Sequence, residues 1–439
     1  YILWNGSGWS DELSALDVGG GTNAIQWIVL RACPTRDEYI LGTLGADGHV
    51  NVQVYNGLTK AWGNLIEVAT AIGTTNDAYR GFDIAYETLS GKAIVVTQNN
   101  TADLVYYIWN GISWSGPATI DLTSTTISYW VRLASHPFSN EIALIALNTT
   151  NAVSGMIWNG SNWWNEKILS NNLASIATKE CIGLAYETIT GRAMFIWGED
   201  TDYLYYWLWN GTAGSWVGAS KTALNIPAQA AKSNWVMLKS DPTSNRLMLG
   251  VVDAGADLNT RIWSGIAWDT ETQHPEHDAS VETIESRCFD IVWENFPDPE
   301  GTICDAWIFW GDGSTVSRRY YFLSSGWGAV ATSGDNTAII QLITTGNGNI
   351  FGGIYEDPSS VNDDIWETRV LRTEGVASWT AKFLVETTQS TTVQPVMEPY
   401  MVAAAKYATA IANTPPTLNW TGESGYVTDG LEPESGYIT

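Results

Sequence analysis

The pattern that most limits how this chain can fold is a step of an aromatic residue, Asn and Gly, followed a few residues later by Trp. It reads Trp4-Asn5-Gly6 with Trp9, Tyr55-Asn56-Gly57 with Trp62, Trp109-Asn110-Gly111 with Trp114, Trp158-Asn159-Gly160 with Trp163, and Trp209-Asn210-Gly211 with Trp216. Degenerate copies stand at Trp263-Ser264-Gly265 with Trp268, at Gly326-Trp327, and at Gly375 with Trp379. The first residues of the six clearest copies are spaced by 51, 54, 49, 51 and 54 positions. A fixed period of this size marks a supersecondary unit that buries its apolar face by stacking on its own copies.

A second marker lies between these steps. Phe82-Asp83-Ile84-Ala85-Tyr86-Glu87-Thr88 turns at Ser90-Gly91, and Ile182-Gly183-Leu184-Ala185-Tyr186-Glu187-Thr188 turns at Thr190-Gly191. Related segments begin near Trp27, Trp130, Trp235, Phe289, Ile339 and Met397. Each unit therefore reads as strand A, a short turn, strand B, a polar loop, strand C, an Asn-Gly turn and strand D. Asn and Gly tolerate the positive φ that a two-residue hairpin turn demands. Runs such as Leu104-Val105-Tyr106-Tyr107-Ile108-Trp109 are apolar on consecutive residues, which suits strands buried on both faces. The expected fold is all-β, with no helix of ordinary length: a β-propeller of four-stranded blades spanning residues 1–413. Seven units are complete, from about Ile25 to Thr392. The hairpin of residues 1–14 and the segment 396–407 would close an eighth blade by overlap of the termini, with seven blades as the alternative.

Composition narrows the function. Only 15 % of the 439 residues are charged, against about 25 % in ordinary globular chains, and the net charge is −26. Nucleic acids and anionic lipid are disfavoured as partners, because both are held largely by Lys and Arg. No apolar run is long enough for a membrane span, and no signal peptide is visible. Tyr1 already belongs to a strand, so the chain reads as a processed or partial form. The four cysteines, Cys33, Cys181, Cys288 and Cys304, are too scattered for a disulfide scaffold or a zinc site and are expected as free buried thiols. Asn-x-Ser/Thr sequons at Asn5, Asn99, Asn148, Asn159, Asn210 and Asn419 overlap the turn chemistry, which explains several of them without glycosylation.

After Pro415-Pro416 the character changes, and Glu423-Ser424-Gly425-Tyr426-Val427-Thr428 recurs as Glu434-Ser435-Gly436-Tyr437-Ile438-Thr439. Asn413-Thr414-Pro415-Pro416-Thr417-Leu418, with Trp420-Thr421-Gly422, resembles the start of the tandem Ig-like repeats of large bacterial surface proteins. Residues 414–439 are too short for such a domain, which needs about 100 residues. They read as an extended tail, or as a truncated repeat able to lend a strand to a neighbour. The Ala-Tyr-Glu-Thr and Trp-Asn-Gly repeats are also similar to those of secreted multidomain bacterial proteins, and seven-bladed bacterial lectins are comparably Trp-rich. This resemblance implies an extracellular or cell-surface location.

Three kinds of candidate site follow. Trp9, Trp114, Trp163, Trp216, Trp268, Trp327 and Trp379 occupy one repeated position. They would either stack on sugar rings as equivalent lectin sites or serve as packing anchors between blades. Asp83 and Asp290 match in strand A, where they could face a central channel, and Glu87, Glu187 and Glu294 end the same strands. A glycosidase needs two carboxylates roughly 5–9.5 Å apart. Sialidase-type propellers need clustered arginines and Ser-x-Asp-x-Gly-x-x-Trp boxes, and neither is evident in the sequence. Asp200, Asp202, Asp253, Asp257 and Asp312 sit in B–C loops, where they would hold Ca²⁺ or simply form turns. The segment His274-Pro275-Glu276-His277-Asp278 reads as a solvated loop. No cofactor is required, with calcium the one left open.

The leading expectation is a non-enzymatic extracellular binding or adhesion module taking a surface glycan or protein. The second is a structural subunit of a filament, sheath or layer that self-assembles through its tail or N-terminal hairpin, and the third is an extracellular glycosidase.

Overall fold

The computed structural model describes residues 1, 3, 10, 13–18, 25–70, 72, 79–123, 126–150, 152–172, 179–226, 229, 231–270, 274, 276–294, 305–333, 337 and 339–344. Beyond these it gives the backbone of strands Ile350–Tyr355, Asp363–Thr373, Val376–Trp379, Phe383–Gln389, Trp420–Thr421 and Tyr426–Val427. There is no helix among the described residues, and so no helix long and apolar enough to cross a membrane.

The strands form consecutive antiparallel sheets. Sheet 1 holds β1 (Ile25–Ala32), β2 (Glu38–Gly45), β3 (Val50–Asn56) and β4 (Ala61–Ala69). Sheet 2 holds β5 (Phe82–Tyr86), β6 (Ala93–Gln98), β7 (Leu104–Trp109) and β8 (Trp114–Ile120). Sheet 3 holds β9 (Ser128–Ser135), β10 (Ile142–Asn148), β11 (Val153–Trp158) and β12 (Trp163–Ser170). Sheet 4 holds β13 (Ile182–Tyr186), β14 (Arg192–Gly198) and β15 (Tyr203–Asn210), edged by β16 (Ser215–Trp216) and β17 (Thr222–Asn225). Sheet 5 has three strands, β18 (Ser233–Ser240), β19 (Leu247–Asp253) and β20 (Leu258–Trp263). Sheet 6 holds β21 (Phe289–Trp293), β22 (Ala306–Gly311) and β23 (Val316–Phe322), edged by β24 (Gly326–Trp327) and β25 (Ala331–Ser333). Sheet 7 holds β26 (Ile339–Thr344), β27 (Ile350–Tyr355) and β28 (Asp363–Thr373), edged by β29 (Val376–Trp379) and β30 (Phe383–Gln389).

Successive first strands, from β1 through β5, β9, β13, β18 and β21 to β26, pack against one another in chain order. Up-and-down sheets joined in this way are the blades of a β-propeller. The second strands are its dry layer: every residue of β6, β10, β19 and β22 is buried, as the consecutive apolar runs require. Glycine is needed there at close approaches. A Cβ on Gly42 would stand 2.7 Å from the Phe82 ring, and one on Gly250 would stand 2.5 Å from that of Phe289. The outer strands are wetter, and most of β8 is exposed or half-exposed. Cys33, Cys181 and Cys288 are free and buried, and burial pushes the Cys181 and Cys288 thiols up to about 12. Cys304 lies outside the described residues.

One expectation needs correcting. The segment containing His274 and His277 is not a solvated loop, because both histidines are buried. It fills the place of a regular fourth strand in sheet 5, where Asp278 bridges to Leu258 and Trp268 to Trp263. Most of residues 1–14, and all of 396–407, lie outside the described residues. At the N-terminus, Ser10 N donates to Leu3 O at 2.8 Å and Leu13 N to Tyr1 O at 2.8 Å, and the Tyr1 ring meets Trp62 edge-on at 5.6 Å.

Candidate binding surface and the first-strand charge cluster

The repeated tryptophans follow directly from the hairpin register. The outer Trp stands opposite an aromatic of the third strand in Trp109↔Trp114, Trp158↔Trp163 and Trp209↔Trp216, whereas Trp379 stands opposite Val370. The ring pairs lie 5.2, 5.6 and 5.6 Å apart, and Tyr321–Trp327 repeats the contact at 5.1 Å. Trp114, Trp163, Trp216, Trp268 and Trp327 are all half-buried. Several also bridge sheets: Trp163 meets Tyr106 of sheet 2 at 6.3 Å, and Trp268 meets Tyr206 of sheet 4 at 5.8 Å. The indole N–H groups of Trp62 and Trp163 have no hydrogen-bond partner among the described residues. Trp9 and the side chain of Trp379 lie outside them.

The four joints from sheet 1 to sheet 5 come in two alternating kinds. At joint 1/2, the Glu38 carboxylate accepts from Tyr86 Oη and Trp109 Nε1, each at 3.0 Å. At joint 3/4, Glu141 accepts from Tyr186 Oη at 2.8 Å and Trp209 Nε1 at 3.0 Å. In these joints Trp114 and Trp216 donate to the carbonyls of Asn64 and Asn165, whose φ values are 52° and 53°. At joints 2/3 and 4/5 the acceptor sits elsewhere: Trp158 Nε1 donates to Glu87, and Trp263 Nε1 to Glu187, both at 2.7 Å. There Asn140 and Asn245 each accept from two turn amides, those of Leu89 and Ser90 and those of Ile189 and Thr190. Glu87 and Glu187 therefore fasten blades together.

Asp83 and Asp290 are buried, but as anchors in a charge cluster. Asp83 takes Arg31 at 3.1 Å and the Leu133 amide at 2.9 Å. Asp290 takes Lys239 at 2.7 Å and the Leu342 amide at 2.6 Å. Burial raises the Asp83 pKa, but Arg31, Arg80 and Arg132 outweigh it and hold the carboxyl below its ordinary value. Each carboxylate thus pins the first strand of the next sheet. Glu180, just ahead of β13, is the hub. Arg132 grips it twice, at 2.5 and 2.8 Å, Arg80 reaches it at 3.1 Å, and Arg287 stands 3.9 Å away. Arg132 belongs to β9, and Arg80 and Arg287 lie two residues ahead of β5 and β21, so the starts of these first strands meet at a common centre. Trp27, Trp130 and Trp235 also converge there, at 5.5 and 5.9 Å. Contrary to the sequence expectation, arginines do cluster. Their positions, 31, 80, 132 and 287, are joined only by the blade geometry.

The calcium candidates are mostly occupied as turn formers. Asp253 accepts the amides of Gly255, Asp257 and Ala231. Asp312 accepts from the amide and hydroxyl of Thr315 and from Ser317 Oγ, and Asp200 pairs with Lys232. Asp257 is raised to about 6 by burial, Asp253 and Glu276. Asp202 is exposed. No group of three or more potential ligands forms among the described residues.

One end of the blades carries a feature the sequence reading missed. Leu58, Ile112 and Ile266, each directly after the Gly of a C–D turn, are 88 %, 83 % and 87 % exposed. Leu89, Phe138 and Ile189 in A–B turns are 63 %, 57 % and 62 % exposed. In an up-and-down sheet both kinds of turn lie at the same end. The signal was available as an apolar residue at repeated turn tips.

No family model matches the sequence, and no curated protein is similar to it. Among solved structures the chain resembles the BP39L lectin from Burkholderia pseudomallei, with 13 % identity and a TM-score of 0.57 over 82 % of this chain and 100 % of that one. A fungal lectin from Aleuria aurantia, described as a six-bladed β-propeller with fucose recognition, matches at 13 % identity, TM-score 0.39, over 70 % and 96 % of the two chains. The NanB sialidase from Streptococcus pneumoniae matches at 10 % identity, TM-score 0.39, over 78 % and 67 %. At 13 % identity the likeness to the Burkholderia lectin speaks for the fold alone.

Proposed function

We propose that this propeller is a non-enzymatic extracellular binding module that takes glycan at the blade end bearing the A–B and C–D turns. The observation that carries the reading is the set of exposed apolar turn tips beside half-buried tryptophans at that end. Isolated exposed apolar residues are ordinary, but a repeated set on one surface marks a contact site. Aromatic edges between polar turns suit the apolar faces of sugars. Sharing a fold with a protein named as a lectin adds support. Asp83 and Asp290 do not favour glycoside hydrolysis, because each is tied to a cation and to backbone amides.

A glycan array on the whole chain, with and without Ca²⁺, tests this reading. Binding to one sugar class that weakens when Leu58, Ile112 and Ile266 are changed to Ser supports it. A blank array refutes glycan binding and leaves a protein partner for the same surface. We also propose eight blades. Tyr1 packs on sheet 1 as Tyr106 packs on sheet 3 and Tyr206 on sheet 5, each tyrosine preceding its Trp-Asn-Gly step by three residues. The hairpin of residues 1–14 would thus supply the outer half of a further blade.

A further inference from the structure

We propose that Arg132, Arg287 and Lys239, at the centre of the first strands, form a binding site for an oxyanion, a carboxylate or sulfate group carried by an acidic saccharide. The saccharide half rests on the reading above, and the anion half does not.

The argument is one of unmatched charge. The cations Arg31, Arg80, Arg132, Lys239 and Arg287 share three carboxylates, Asp83, Glu180 and Asp290, among the described residues. All three carboxylates are already spent: Asp83 takes Arg31 and the Leu133 amide, with Arg80 3.8 Å away. Glu180 is gripped by Arg132 and Arg80, and Asp290 by Lys239 and the amides of Ile291 and Leu342. Arg287 is left 3.9 Å from Glu180, beyond hydrogen-bond reach, and its Nε has no partner among the described residues. The Nε of buried Arg80 likewise has none among them. Burial first, and then repulsion by Arg132, drive the Arg287 pKa down, and Lys239 is lowered by burial, Arg287 and Arg132.

Exposure sorts the charges by sign. The side chains of Lys239 and Arg132 are 32 % and 21 % exposed, whereas Glu180 and Asp290 are 3 % and 1 % exposed. Solvent therefore meets donors with the carboxylates hidden behind them. A planar guanidinium presents two parallel N–H groups that fit carboxylate, sulfate or phosphate oxygens. The chain as a whole, at net charge −26, repels anions, so a bound anion reports this spot.

The test uses the full chain at constant ionic strength. Inorganic sulfate is exchanged for chloride while thermal unfolding is followed. Oligogalacturonate, chondroitin sulfate oligosaccharides and neutral oligosaccharides of matched length are then titrated by calorimetry. The variants are Arg287→Gln, Arg287→Lys and, as a surface control, Lys92→Gln. Sulfate is expected to raise Tm more in the wild type and in K92Q than in R287Q, where only the general stabilisation by a surface-excluded ion is left. An acidic saccharide is expected to bind R287Q ~10-fold or more weakly, as loss of a charge-assisted pair implies. Arg287→Lys keeps the charge but loses the fork, so it shows a partial loss and serves as the test if R287Q does not fold. A sulfate effect no larger in the wild type than in R287Q overturns the anion site. A sulfate effect without acidic-saccharide binding overturns the saccharide half alone. An acidic saccharide bound equally by R287Q overturns this site and leaves the turn-end glycan reading intact, and preference for oligogalacturonate or for chondroitin sulfate identifies the group as carboxylate or sulfate.

Discussion

Changing Glu180 to Gln keeps the shape of the hub and removes its charge. The carboxylate takes contacts of 2.5 and 2.8 Å from Arg132 and 3.1 Å from Arg80, with both the hub and Arg80 nearly inaccessible to solvent. At an effective dielectric constant of about 20, each unit-charge contact at this range attracts by roughly 5 kcal/mol before desolvation is counted. Desolvation offsets much of that, and removing one partner of a buried pair generally costs about 3–5 kcal/mol. E180Q is therefore expected to lose that much stability at pH 7, read from urea-induced unfolding by tryptophan fluorescence. Glu285→Gln is the control, since Glu285 pairs with Lys179 but its side chain is 75 % exposed; its loss is expected within about 0.5 kcal/mol. The pH dependence gives an independent check. Burial raises the Glu180 pKa, but Arg132, Arg80 and Arg287 outweigh it and leave it below the ordinary 4.5. Its stabilisation is then complete above that value and is lost as pH falls through the lower folded-state value. The gap between wild type and E180Q should close over that window. A loss under 1 kcal/mol at pH 7, or a gap that does not change with pH, refutes the reasoning.

His277 is driven well below 6.5 by burial, with Arg319 and His274 adding repulsion. Wild-type stability should therefore fall by about 1.4 kcal/mol per pH unit as pH drops below 6.5, until the folded value is reached, and His277→Gln should flatten that slope in urea midpoints taken between pH 7 and 5. Trp158→Phe and Trp263→Phe each remove an indole donor from a buried carboxylate, so each should cost about 2 kcal/mol or more; calorimetry giving one near zero would show that the two joints are not equivalent. Chelation by excess EDTA should leave Tm unchanged, because the oxygens of Asp253 and Asp312 are already engaged by N–H and O–H donors; a drop of several degrees would indicate a bound cation.

The blade plan was legible because hairpin turns and doubly buried strands leave local marks. Asn-Gly turns fixed the C–D hairpins, and Leu104–Trp109 and Ala306–Gly311 lie where their apolar runs place them. The charge cluster was not legible, because Arg31, Arg80, Arg132 and Arg287 share no spacing that a linear reading can weight. His274 and His277 were misread for a related reason: Pro275 marks a loop, but nothing local says that the loop fills the missing fourth strand of sheet 5. The alternation of joints was in plain view. Ala85-Tyr86-Glu87-Thr88 recurs at Ala185-Tyr186-Glu187-Thr188, a full two units on, and the half-period hid it.

That alternation carries an arithmetic consequence. From sheet 1 to sheet 5 a blade offering the Glu38 kind of acceptor is followed by one offering the Glu87 kind, so over that span the unit that copies is a pair of blades. A closed ring that kept to this rule throughout would have an even count. At an odd count two like edges would meet at a seam, with an indole facing no carboxylate of its kind. Lengthening or shortening such a protein one blade at a time would break its closure, whereas adding or deleting about 100 residues would preserve it.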